Sequence, residues 1–117
     1  MQRLGKRQQL KQTKEIYKTN KWKKKRERIL RRDGYKCQEA KRFGTYEEAT
    51  TVHHIYPVEE YPELASKDWN LISVSGKRHG TFHDKTTGAI TKRGRYWQTK
   101  RKKEFDEWKK KDTPLTF

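Results

Sequence analysis

Thiols are almost absent from this chain. Cys37 is the single cysteine in 117 residues, which excludes an internal disulfide and fits a reducing, cytoplasmic setting. Apolar residues make up only 29%, so the core must be small, and a bound metal ion would help hold it together. No apolar run approaches the ~20 residues of a membrane-spanning helix, and no secretory leader is read, so neither spanning nor export is expected. Acid is scarce as well: 15 Asp and Glu face 31 Lys and Arg, a formal charge of +16. A surplus of that size implies a polyanionic partner or a membrane surface.

The distribution of charge separates those two. Residues 1–36 carry 15 basic residues against 3 acids, residues 37–91 carry 6 against 8, and residues 92–117 carry 10 against 4. A near-neutral module therefore lies between two basic arms. A membrane-surface helix sets a broad apolar face beside its lysines; these arms lack one, so a phosphate backbone is the expected partner, with no membrane. The reading divides the chain into a flexible basic arm over 1–19, a central domain with a leading basic helix over 20–90, and a basic, helical extension over 91–117.

Within the leading helix, expected over about 21–32 with Asn20 as its N-cap, Trp22 and Ile29 share a docking face. Its charge makes Lys21, Lys23, Lys24, Lys25 and Arg28 candidates for phosphate contact. Asp33-Gly34 ends it. Residues 35–51 read as a connection turning at Arg42-Phe43-Gly44, and 89–99 as a short hairpin or extended piece around Gly94. Residues 100–111 read as a helix with Phe105 and Trp108 on one face, stopped at Thr113-Pro114.

What the near-neutral module does contain is histidine. All four, His53, His54, His79 and His83, fall within 31 residues. His53 and His54 sit in a β-branched and aromatic run that favours a strand. Neighbours on a strand point to opposite faces, so one can hold a metal while the other acts beside it. His79 and His83, four apart, share a face if a helix runs from about Gly76 to Lys85, as metal-ligating pairs require. Asn70 precedes a second apolar strand, Leu71-Ile72-Ser73-Val74, and Ser75 and Gly76 can cap the helix after it. A structural zinc held by all four rings is disfavoured, because His53 and His54 diverge. Glu59, Glu60 and Glu63, on the acidic loop between Pro57 and Pro62, are not needed as ligands beside three imidazoles.

The order His-His, fifteen residues, Asn, eight residues, His, three residues, His resembles the HNH endonucleases, and most of all the colicin-type version that begins with two histidines. Flanking residues are similar to phage-type members: R-D-G-Y-K-C-Q at 32–38, H-H-I-Y-P-V at 53–58, E-Y-P-E-L-A at 60–65 and N-L-I-S-V at 70–74. The likeness covers about residues 17–88. Two departures stand out. Many members carry four zinc-binding cysteines at positions that correspond here to Cys37, Ala40, Ser75 and Arg78, and many have aspartate in place of His53.

The resemblance implies an α+β fold, a small ββα-metal module flanked by basic N-terminal and C-terminal helices. It implies a phage-encoded nuclease of the host cytoplasm that acts on double-stranded DNA, using one divalent metal ion (zinc, nickel, manganese, cobalt or magnesium). The ion would be held by His53, His79 and His83, with His54 as general base and Asn70 bracing the loop that orients it. Lys77, Arg78 and Lys85 would stabilise phosphate, and the products would be 5′-phosphate and 3′-hydroxyl ends. A phage packaging partner such as a terminase is a further expectation. The rival readings are a non-catalytic nucleic-acid-binding protein with a structural zinc and an RNA-directed nuclease.

Overall fold

A computed structural model describes residues 14–112; residues 1–13 of the expected arm over 1–19, and the Thr113-Pro114 stop, lie outside them. Residues 14–18 are helical and lead into helix α1 (Asn20–Arg32). Short α2 (Gln38–Arg42) follows, then β1 (Thr51–His54) and β2 (Leu71–Val74), α3 (Gly76–His79), α4 (Lys92–Lys100) and α5 (Lys102–Asp112). Among the described residues no helix is long and apolar enough to cross a membrane.

The two strands pair antiparallel, with His53 opposite Ile72 and His54 opposite Leu71. Alternation then gives each face its own core. Val52 and Leu71 pack against Trp22, Ile29 and Leu30 of α1, with Ile16 at the margin. Ile72 and Val74 join Cys37, Ala40, Ile55, Leu64, Phe82 and Trp97 on the other side. Ser73 stays polar on the α1 face because its hydroxyl bonds to the Ile29 carbonyl and its N–H donates to Asp33 Oδ2 at 3.0 Å.

Several local expectations are corrected. Thr19, not Asn20, caps α1, its hydroxyl accepting from the Trp22 N–H at 3.1 Å, and Asn20 is the first helical residue. The 35–51 connection contains α2, which buries Glu39 completely between Arg42 and the Trp97 indole N–H. The segment around Gly94 is helix α4, capped by Thr91, rather than a hairpin. Gly94 is there for close approach: a Cβ would lie 2.7 Å from the Phe82 carbonyl oxygen and 2.5 Å from Ile90 Cγ1. The C-terminal helix forms as expected and lays Phe105 flat on Tyr56, ring centroids 4.0 Å apart, with Trp108 against Tyr61.

The expected helix from Gly76 to Lys85 stops at His79. Ser75 caps its start, accepting from the Arg78 N–H. At its end the Thr81 hydroxyl takes the Arg78 carbonyl, and Phe82 turns inward to full burial. Asp84 then bonds the Thr86 and Thr87 N–H groups, a local turn that competes with helix. His83 thus comes from an antiparallel bridge to Ile90 and not from the helix carrying His79.

Candidate active site

Because β1 is a free edge of a two-stranded sheet, side chains from both its faces can reach one opening. A cleft of about 530 Å³ runs along that edge, and all four histidines line it, together with Tyr17, Arg26 and Glu59.

His53 points to the α3 side. It is 4% exposed, with its ring 5.1 Å from that of His79 and 6.3 Å from that of His83. Its Nε2 is buried without a hydrogen-bond partner, an arrangement that costs stability unless something takes the lone pair. A metal ion would do so. Two ring nitrogens on one metal at about 2.0–2.1 Å place ring centroids about 5 Å apart in tetrahedral geometry. The His53–His79 pair stands at that spacing, and His83 is about 1 Å wide of it. Accordingly, among the described residues no group of three or more His, Cys, Asp or Glu side chains stands in metal-holding geometry. The donor chemistry fits nonetheless. Burial, then the neighbouring His79, His83 and His54, pushes His53 well below the ordinary histidine value, and burial followed by His83 lowers His79. Both rings are thereby held in the neutral form that ligates. The Nδ1 of His83 lies 3.3 Å from the Gly88 carbonyl, the outer contact that fixes the tautomer of metal-binding histidines.

His54 points the other way, stacked on Trp22 with centroids 5.0 Å apart. Its Nε2 donates to the Ala65 carbonyl at 3.0 Å, which leaves the Nδ1 lone pair toward the cleft. The Tyr17 hydroxyl meets that Nδ1 at 3.3 Å. Burial is the main influence on His54 and lowers its pKa, opposed by the Ala65 hydrogen bond and Glu59. The ring is therefore a neutral base near pH 7.

Asn70 is fully buried and does not line this cleft. Its Oδ1 accepts from the Tyr56 N–H at 2.8 Å, and its Nδ2 donates to the carbonyls of Tyr56 and Leu64. It thus ties the end of β1 to the loop that presents Ala65, and positions His54 at one remove. Asn70→Ala should destabilise the metal-free protein by about 2–4 kcal/mol, because buried amide groups lose their partners. Urea denaturation reads this; a loss below about 1 kcal/mol would show that the brace is dispensable.

The basic residues read from the sequence divide into two groups. Lys21, Lys23, Lys24, Lys77 and Lys85 are exposed, without a carboxylate partner among the described residues. Lys25 and Arg28 instead clamp Asp68, each at 2.7 Å, and Arg78 pairs with Glu47 at 2.9 Å, so these three are first of all fold contacts. Two cleft residues escaped the sequence reading. Arg26, spaced four from Trp22 on the docking face, bonds the Thr50 carbonyl at 2.6 Å and borders the cleft. Tyr17, in the basic arm, reaches the site because Thr19 caps α1 and turns the preceding helical segment back onto Trp22.

No family model and no curated protein sequence matches the chain. Among solved structures it is similar to the HNH endonuclease of the deep-sea thermophilic bacteriophage GVE2, crystallised with a manganese ion. The two share 25% identity at a TM-score of 0.62, over 64% of this chain and 82% of that one.

Proposed function

We propose that this chain, which has the HNH endonuclease fold, is a phage-type, metal-dependent endonuclease that hydrolyses DNA to 5′-phosphate and 3′-hydroxyl ends. One observation carries the reading: the Nε2–H of His54 is spent on the Ala65 carbonyl, and its Nδ1, which accepts from the Tyr17 hydroxyl at 3.3 Å, faces the cleft that His53, His79 and His83 also line. A spare, oriented base beside a triad of ligand-type imidazoles has no purpose in a structural zinc site.

His54 Nδ1 takes the proton of the attacking water, which replaces the Tyr17 hydroxyl as its hydrogen-bond donor. The Ala65 carbonyl holds the opposite nitrogen protonated, so the ring accepts at the correct atom. Arg26 brings a guanidinium to the cleft, where an incoming phosphodiester carries its charge. His53, His79 and His83 would hold the divalent ion, which would supply Lewis-acid neutralisation of the phosphate and the leaving 3′ oxygen. Three imidazoles favour zinc, nickel, cobalt or manganese over magnesium in affinity; the manganese ion of the phage GVE2 protein makes manganese the first to try. Plasmid cleavage with a panel of divalent ions, with and without chelator, tests the proposal. Absence of cleavage with every ion would overturn it, and preference for an RNA substrate would move it to RNA.

DNA affinity should fall steeply with salt as neutralised phosphates release counterions. Replacing Lys21, Lys23 and Lys24 together by alanine should lower the log–log salt slope by about 2–3 and leave metal binding unchanged. Replacing Lys25 and Arg28 should alter the slope less, since Asp68 already neutralises part of their charge. An unchanged slope in the triple variant would place DNA elsewhere on the molecule.

A further inference from the structure

Away from the cleft, three arginines from three separate elements converge on one exposed ring. Phe43 follows α2 and is 48% exposed. The guanidinium carbon of Arg42 lies 4.3 Å from its centroid, that of Arg93 from α4 lies 5.0 Å away, and that of Arg78 from α3 lies 5.6 Å away. Arg42 also stacks on Tyr96 at 3.9 Å. Gathering like charges around one ring is unfavourable unless each is answered. Glu39 answers Arg42 and Glu47 answers Arg78, while Arg93 has no carboxylate partner among the described residues. Each of the three arginines is preceded by a lysine, Lys41, Lys77 and Lys92, and all three lysines are exposed. Three arginines therefore meet two carboxylates at these rings.

We infer that this arginine–aromatic face is a second nucleic-acid contact, which takes the sugar-phosphate backbone of the substrate duplex beyond the cleft. The inference rests on the endonuclease reading only for the identity of the polyanion. Its chemistry follows from the stacking. A guanidinium laid against an aromatic face keeps its in-plane N–H donors free at the edge, in the fork that matches a phosphate. Phe43 and Tyr96 fix the forks, and the exposed Lys41, Lys77 and Lys92 raise the positive charge of the three segments that carry them. The face also stands where Ser75 and Arg78 replace cysteines of the resembled family: the Ser75 hydroxyl and Arg78 Nε both bond Glu47, at 2.7 and 2.9 Å. Arg78 immediately precedes His79, so the face and the cleft are joined through α3.

Arg93→Ala and Phe43→Ala are the variants of choice, since Arg42 and Arg78 also hold Glu39 and Glu47. Their affinity for a 30-base-pair duplex would be measured across a salt series, alongside manganese affinity and melting temperature on the same preparations. Arg93→Ala should bind duplex roughly 5–30-fold more weakly, with a salt slope lower by about 1. Phe43→Ala should weaken binding several-fold with little change in slope, because it loosens the forks without removing charge. Manganese affinity stays at the wild-type value in both. Cleavage by Arg93→Ala should show a raised KM and an unchanged kcat. Wild-type duplex affinity and slope in Arg93→Ala would overturn the inference. If the wild-type protein cleaves nothing, the binding arm still decides it, so its failure and that of the nuclease reading are distinguishable.

Discussion

His54→Ala should keep the fold, the metal and the duplex affinity, yet lose at least about 10²–10⁴-fold in turnover, the range attributable to general-base catalysis. The separation is possible because His53 and His54 lie on opposite faces of β1. Removing the His54 ring vacates a space against Trp22 and Tyr17, while His53, His79 and His83 lose no contact with it that orders their donors. The wild-type pH–rate profile should carry the same signature. Burial lowers the His54 pKa below 6.5, so the base remains unprotonated, and turnover persists, at pH values where an exposed histidine is already charged. His54→Ala should lose that acid limb. Metal content, duplex binding and plasmid cleavage measured on one preparation settle the matter. Cleavage within a few-fold of wild type would remove His54 from the chemistry, and loss of metal would return it to the ligand set.

Much of this site was legible because it rests on short-range rules. Period-two alternation alone separates His53 from His54, and β-branched residues mark both strands. The resemblance assigned Asn70 a bracing role, and its three buried bonds agree with that geometry. The parts that were misread depend on tertiary contact. His83 keeps its place in the cleft although its helix is missing, because burial of Phe82 and the Asp84 turn outweigh four-residue spacing. Gly94 looked like a turn but is a helical residue at a tight crossing over the Phe82 carbonyl. Tyr17 gave no periodic signal, since its contact with His54 spans 37 residues of sequence. Charge counting marked α1 as a DNA face without seeing that Asp68 claims Lys25 and Arg28.

The ligand triad predicts a graded loss of metal. His79→Ala should weaken manganese or zinc binding by at least about 10²-fold, since even an outer-shell partner of a ligand is typically worth 10–100-fold. His53→Ala should lose as much or more, and also destabilise the metal-free protein, because the ring is packed on Phe82 at 4.5 Å. His83→Ala should lose least, its ring being the most distant from His53 and its carrier the 83–90 loop rather than the sheet. His79 is the cleaner test because it is only partly buried. Melting in the presence of metal gives a readout independent of activity. At a free metal concentration of about 100 times the wild-type Kd, binding stabilises the fold by about 2.7 kcal/mol, and a ligand loss of 10²-fold cuts this to about 0.4 kcal/mol. The metal-dependent rise in Tm should therefore nearly vanish in His79→Ala while its metal-free Tm stays near wild type. A full metal-dependent rise in that variant, with unchanged affinity by titration calorimetry, would mean that the buried, unpartnered Nε2 of His53 faces something other than a metal.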